Sequence, residues 1–294
     1  MNLVSAAHTK ALLKKYGFRF KKSLGQNFLV DEGVFRKIIQ AAELSPQDLV
    51  VEIGPGLGTL TVGLAEEAGQ VIVVEIDQRL GPILQETLDN RENVRIHLGD
   101  VLKTKLDQLV LEMSAGQFGP GGKRYKVVAN LPYYITTPII MQLLEEGHHL
   151  ETMVFMVQKE VAERMVAEPG GKEFGALSVA VQFYCRAEIV TLVPKEAFIP
   201  PPEIESAVIK LSKRSEPAVA VTSAELFFRV VKAAFGQRRK TLLNALANGS
   251  FGLEKAKWTN LLSDLNIDSQ RRGETLSLDE FALIANQLST DTNL

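Results

Sequence analysis

From about Leu49 onward, short apolar runs alternate with amphipathic stretches, the pattern of strands joined by crossover helices in a parallel sheet. The runs Leu49 to Ile53, Val71 to Ile76, Val94 to Leu98, Tyr125 to Ala129 and Thr152 to Val157 read as strands. Between them, Thr59 to Glu67, Arg79 to Asn90 and Thr137 to Glu146 read as helices. Such a series predicts an open, doubly wound α/β sheet, whose ligands bind beyond the carboxyl ends of the strands. Gly116 to Gly122 reads as a loop without packing content. Ala176 to Cys185 has a helical pattern, Ile189 to Val193 and Ala207 to Leu211 read as closing strands, and Pro200, Pro201 and Pro202 set a stiff, extended loop between those two. After about Arg214 the strand signal stops and helical patterns such as Ala224 to Ala234 and Lys240 to Leu246 take over, which predicts a small helical C-terminal domain. No internal repeat is visible.

Length agrees with a two-part architecture, because 294 residues are about twice a ~150-residue domain. Hydrophobic residues at 46% and charged residues at 23% supply a substantial core and exclude wholesale disorder. Cys185 is the single cysteine, so no internal disulfide forms, and no Cys/His cluster has the spacing of a zinc site. No metal and a reducing, cytoplasmic setting are the expectations. The N-terminal lysines are not followed by an apolar stretch, and no run reaches the ~20 apolar residues of a membrane span. Without a long heptad pattern, a monomer is expected.

Charge changes the picture through its distribution. The net charge of -2 argues against a nucleic-acid partner, yet residues 1–22 carry Lys10, Lys14, Lys15, Arg19, Lys21 and Lys22 with no acid, a balance of +6 that leaves -8 for the rest. Arg238, Arg239 and Lys240 form a second basic group in a helical-looking stretch, and Arg271 with Arg272 forms a third. Any one of these alone is an ordinary solvated face, whereas three beside a base-handling motif point to RNA or DNA.

The strand Leu49 to Ile53 runs into Gly54-Pro55-Gly56-Leu57-Gly58 and then a helix, so backbone can approach a ligand where side chains would obstruct it. Glu75 ends the next strand, about twenty residues on, where a carboxylate accepts two hydrogen bonds from a ribose diol. Asp100 follows the third strand and suits an adenine amino group. An NAD-dependent dehydrogenase shares the first two features, but the dinucleotide fingerprint wants Gly or Ala where Thr59 stands. The three together favour S-adenosylmethionine.

Asn130-Leu131-Pro132-Tyr133 follows the fourth strand. The exocyclic amine of adenine is a poor nucleophile because its lone pair is delocalised into the ring. Two acceptors on its N–H groups, the Asn130 side-chain carbonyl and the Leu131 main-chain carbonyl, would draw the nitrogen toward tetrahedral geometry. Pro132 fixes the backbone and has no N–H, and Tyr133 offers a ring for stacking. A base in such a pocket must be flipped out, and Phe198 in Phe198-Ile199-Pro200-Pro201-Pro202 is placed to hold its other face.

With Lys22-Ser23-Leu24-Gly25-Gln26-Asn27-Phe28-Leu29, Glu52-Ile53-Gly54-Pro55-Gly56-Leu57-Gly58 and Arg238-Arg239-Lys240-Thr241-Leu242, these motifs resemble the ribosomal RNA adenine dimethyltransferase family over nearly the whole chain. The resemblance implies a Rossmann-like S-adenosylmethionine-dependent methyltransferase domain over 46–212. A basic segment over 1–45 would serve cofactor and RNA, and a helical domain would fill 213–294. Within the family, the form of the first motif is most similar to the housekeeping branch. That branch dimethylates N6 of two adjacent adenosines in the hairpin loop near the 3′ end of 16S rRNA, within the assembling 30S subunit. Carried over by position, Asn27, Leu29, Gly54, Glu75, Asp100 and Asn130 would contact the cofactor, and Leu131, Pro132, Tyr133 and Phe198 would form the adenine pocket. Taken alone, Gln26-Asn27 passes for a polar turn and Phe28-Leu29 for a staple into the core. The rivals are the large-subunit branch that confers macrolide resistance, whose members are more basic than this chain with its isoelectric point near 6.2, and a noncatalytic RNA-binding factor of the same fold.

Overall fold

The computed structural model describes residues 4–21, 24–89, 91–237 and 239–292. Lys22, Ser23, Asn90 and Arg238 of the motifs and helices above lie outside the described residues. In chain order come α1 (Ala6–Lys15), β1 (Phe28–Leu29), α2 (Glu32–Ala42), β2 (Leu49–Ile53), α3 (Thr59–Glu67), β3 (Gln70–Glu75), α4 (Gly81–Thr87), β4 (Val94–Leu98), α5 (Leu106–Met113), β5 (Tyr125–Asn130), α6 (Thr136–Glu146) and β6 (Leu150–Gln158). They are followed by α7 (Lys159–Val166), α8 (Ala176–Tyr184), β7 (Cys185–Val193), β8 (Phe198–Ile199), β9 (Ser206–Lys213), α9 (Ala224–Gly236), α10 (Leu242–Ala247), α11 (Lys255–Asp264) and α12 (Leu278–Thr292).

Seven strands form one sheet in the order β4-β3-β2-β5-β6-β9-β7. The pairs β2–β3, β2–β5, β3–β4 and β5–β6 are parallel, and β6–β9 is antiparallel. The strand order reverses between β2 and β5, so their carboxyl ends open a crevice where a ligand fits. Every residue of β2 is buried, as a parallel strand covered on both faces requires, and this is why the strand is apolar except for Glu52. At the edge, β4 is only partly buried and mixes Arg95 and His97 with aliphatic residues.

Two compact units divide the chain. The first holds Met1–Ala162 and Ala187–Lys213; the second holds Glu163–Arg186 and Arg214–Leu294. The sequence reading keeps 163–186 inside the methyltransferase domain, whereas here α8 joins the helical unit. Val179 and Phe183 of α8 are buried in the core that Phe227, Trp258 and Phe281 build, and Phe183 stacks on Phe227 at 4.8 Å. Residues 24–45 are also more ordered than a basic tail. Asp31 caps α2 by accepting from Val34 N at 2.8 Å, and Val34, Ile38 and Ala42 bury one face of that helix. Gly116 to Gly122 turns as expected, but Phe118 within it is buried, so the loop does carry packing.

Among the described residues no helix is long and apolar enough to cross a membrane. No group of three or more His, Cys, Asp or Glu among them is placed to hold a metal ion.

Candidate active site

At the carboxyl ends of β2, β3 and β5 a cleft is lined by the glycine turn, by Glu75 and Ile76, by Gly99 to Val101 and by Asn130 to Ile135. The turn after β2 holds Gly54 at φ +68° and Gly56 at φ +58°, in the left-handed region that favours glycine. A β-carbon on Gly54 would meet no protein atom within 4 Å, so backbone faces open space there. The Glu75 carboxylate accepts from the Asp77 amide at 2.7 Å, and the amides of Gly56 and Ile76 lie near enough to favour its ionised form. Burial raises its pKa to about 7 despite those donors. Behind it, the fully buried Glu52 accepts from Thr61 Oγ1 at 2.5 Å, and burial with the nearby Glu75 pushes it up to about 8. Asp100 caps the next turn through Leu102 N at 3.0 Å and lines the cleft.

These residues fit S-adenosylmethionine. The glycine turn leaves room that a side chain would fill, Glu75 and Asp100 put acceptors at two strand ends, and Ile76 and Val101 offer apolar surface between them.

Asn130 to Tyr133 lines the same cleft. Leu131 N donates to Met156 O at 3.1 Å, which fastens the motif to β6, and Thr136 Oγ1 donates to Pro132 O at 3.0 Å, which holds the turn from the other side. The Tyr133 hydroxyl bonds Ser206 Oγ at 2.5 Å and fixes the ring. Asn130 Nδ2 donates to the main-chain oxygen of Asn27 at 2.8 Å.

A further wall comes from residues 24–29. The strands β1 and β8 pair antiparallel, with Phe28 opposite Ile199 and Leu29 opposite Phe198. Alternation along β1 sends Phe28 into the cluster with Leu57, Leu80 and Leu84, and Leu29 into the cluster with Val34, Val50 and Val128. Gln26 Nε2 donates to Asp77 Oδ2 at 2.9 Å. Asp77 is also gripped by Arg79, which holds its carboxyl below the usual range.

The structure therefore brings Asn27, Leu29, Gly54, Glu75, Asp100, Asn130, Leu131, Pro132 and Tyr133 to one cleft. Phe198 is elsewhere. Its ring is 2% exposed and packed with Leu29, Val193 and Val208, so it has no face to offer a base. Sequence reasoning passed over Tyr134, which is 54% exposed at the cleft although it adjoins the tetrapeptide. It also passed over the Gln26–Asp77 bond, which joins residues 51 apart and leaves no periodic trace.

In the second unit, Arg239 and Lys240 lie in the turn before α10 rather than in a helix, and both are exposed. Leu242 N donates to Arg271 O at 2.6 Å, which brings this group beside exposed Arg272. Arg271 itself is spent on structure, since its guanidinium pairs with Glu280 and bonds Thr275.

Residues 17–286 match the family described as ribosomal RNA adenine dimethylase. The chain is 53% identical over 290 residues to ribosomal RNA small subunit methyltransferase A of Moorella thermoacetica, covering 98% of this chain and 99% of that one. It is 50% identical over 287 residues to the protein of the same name from Alkaliphilus metalliredigens, covering 98% of both. Among solved structures, it is similar to a dimethyladenosine transferase from Plasmodium falciparum, with a TM-score of 0.72, 26% identity and coverage of 90% of this chain and 97% of that one. It is also similar to the 23S rRNA methyltransferase ErmE, with a TM-score of 0.67, 26% identity and coverage of 90% and 100%.

Proposed function

The chain belongs to the S-adenosylmethionine-dependent ribosomal RNA adenine dimethylase family, and on that premise we propose that it converts two adjacent adenosines in the hairpin loop near the 3′ end of 16S rRNA to N6,N6-dimethyladenosine. The carrying observation is that Asn130-Leu131-Pro132-Tyr133 opens into the same cleft as the glycine turn, Glu75 and Asp100. The small-subunit substrate is favoured over that of ErmE because relatives named for the small subunit share about half their residues with this chain over nearly its whole length.

S-adenosylmethionine, when bound, supplies an electrophilic methyl group; Asn27, Leu29, Gly54, Glu75, Asp100 and Asn130 are the residues that would hold it. Glu75 would accept from the ribose hydroxyls and Asp100 from the adenine amine of the cofactor. Asn130 Oδ1 and the Leu131 carbonyl accept from the target N6 amine and turn its lone pair out of conjugation. The N6 proton hydrogen-bonded to Asn130 Oδ1 becomes acidic once the nitrogen carries its fourth bond and is lost to solvent water, so the pocket needs positioning and desolvation rather than a strong base. Tyr133 stacks on the flipped base, and Tyr134 takes the place at its other face that the buried Phe198 does not fill.

Arg239, Lys240 and Arg272 contact rRNA phosphates from the second unit, and the exposed Lys10, Lys14 and Lys21 do so from the N-terminal arm. The enzyme acts as a cytoplasmic monomer on a 30S subunit late in assembly. Purified protein with labelled cofactor and undermethylated small subunits tests the proposal: turnover marks the enzyme, and RNA binding without turnover marks a noncatalytic factor.

A further inference from the structure

The bond from Asn130 Nδ2 to the Asn27 main-chain oxygen, 2.8 Å long, settles how the Asn130 carboxamide faces. A main-chain carbonyl can only accept, so the nitrogen must point to residue 27 and Oδ1 away from it. An amide flipped the other way would present N–H to the N–H of the target amine. We propose that the Asn27 carbonyl is a positioning group for methyl transfer: docking of residues 24–29 over the cleft turns the Asn130 amide into its working orientation. The inference rests on the adenine-N6 reading above and adds to it a coupling between this segment and the chemical step.

The segment is held by contacts that each reach a different wall of the cleft. Gln26 grips Asp77, two residues beyond Glu75. Phe28 lies against Gly56 of the glycine turn. Gly25, at φ +55°, lies under the Tyr134 ring, and Asn27 Nδ2 donates to Gly25 O at 3.2 Å, which closes the turn that presents the Asn27 carbonyl. Asp77 stays ionised beside Arg79, so the Gln26 anchor persists across the pH range of a methylation assay.

Asn130→Asp in the full-length protein is the decisive variant. Ionised, the new side chain is a stronger acceptor for the target amine but places an oxygen against the Asn27 carbonyl; protonated, its O–H donates to that carbonyl. The measurement is the single-turnover methylation rate relative to wild type between pH 6 and 9, with saturating S-adenosylmethionine and undermethylated small subunits. Adding Glu52→Gln and Glu75→Gln to both proteins removes any shift that the new carboxylate imposes on those acids, and the other acids nearby, Asp77 and Asp100, are shared by both.

The expected ratio rises as pH falls, by about tenfold per unit at most, and cofactor affinity measured without RNA strengthens in parallel. A ratio that is flat, or that climbs with pH as a pure acceptor role requires, overturns the proposal. Gln26→Ala gives an independent reading. Hydrogen exchange at residues 24–29 should quicken and the chemical rate should fall about tenfold at unchanged KM for the subunit; an unchanged rate, or a loss shared by KM, overturns it. Failure of the wild type to methylate adenine N6 would instead strike the underlying functional reading, and the wild-type arm shows that separately.

Discussion

The Phe28 ring occupies the space that a side chain on Gly56 would need: a β-carbon there would fall 2.9 Å from Phe28 Cε1. Gly56→Ala must also hold a left-handed φ, at about 1–2 kcal/mol. The variant is expected to bind S-adenosylmethionine at least about tenfold more weakly by calorimetry, with part of the loss recovered when Phe28→Leu is added. Undiminished affinity in Gly56→Ala would show that the turn and the segment are not fitted to one another.

Glu52 makes stability depend on pH. Its folded-state pKa is raised from 4.5 to about 8, so between those values the unfolded chain has released a proton that the folded chain keeps. Stability is therefore favoured at low pH and falls as pH rises through that window, by about 1.4 kcal/mol per unit at most. Glu52→Gln keeps an acceptor for Thr61 and removes the titration. Its melting temperature relative to wild type should increase from pH 5 to pH 9; parallel profiles would mean that Glu52 does not titrate in this range.

The same logic applies to binding at Glu75, whose pKa is near 7. An ionised carboxylate accepts from both ribose hydroxyls, whereas the protonated acid has one oxygen committed to its own proton. The Kd for S-adenosylmethionine should tighten from pH 6 to pH 8, and Glu75→Gln should abolish most of that dependence. Titrations at three pH values that give one Kd for the wild type would remove Glu75 from the ribose.

Neighbouring arginines in the second unit should behave differently. Arg272→Glu and Lys240→Glu are expected to weaken RNA binding and to flatten its salt dependence, because each removes an exposed cation that the proposed function assigns to rRNA phosphate. Arg271→Ala strands Glu280 and Thr275 and should cost about 1–2 kcal/mol of stability with the salt slope unchanged. An altered salt slope in Arg271→Ala, with normal melting, would reverse the two roles.

Much of this site is visible in the sequence because its elements are short-range. The apolar run of β2 and the glycine turn after it are contiguous, and so is Asn130 to Tyr133. Their convergence follows from the topology of a doubly wound sheet. Other parts depend on partners far along the chain. Phe198 beside three prolines resembles an exposed aromatic, and only its pairing with Leu29 reveals that it is core. The pattern of α8 identifies a helix but not the core that receives it, so 163–186 is drawn into the wrong unit. The strand β1 has two residues, too few for any period to register.

Transfer of tritiated methyl from S-adenosylmethionine to undermethylated small subunits, with large-subunit rRNA in parallel and the product mapped by primer extension, is the most direct test of the assignment. The expected result is label as N6,N6-dimethyladenosine, with stops at two adjacent adenosines near the 3′ end of the small-subunit RNA. Label confined to large-subunit RNA, or RNA bound with no methyl transferred, would contradict it.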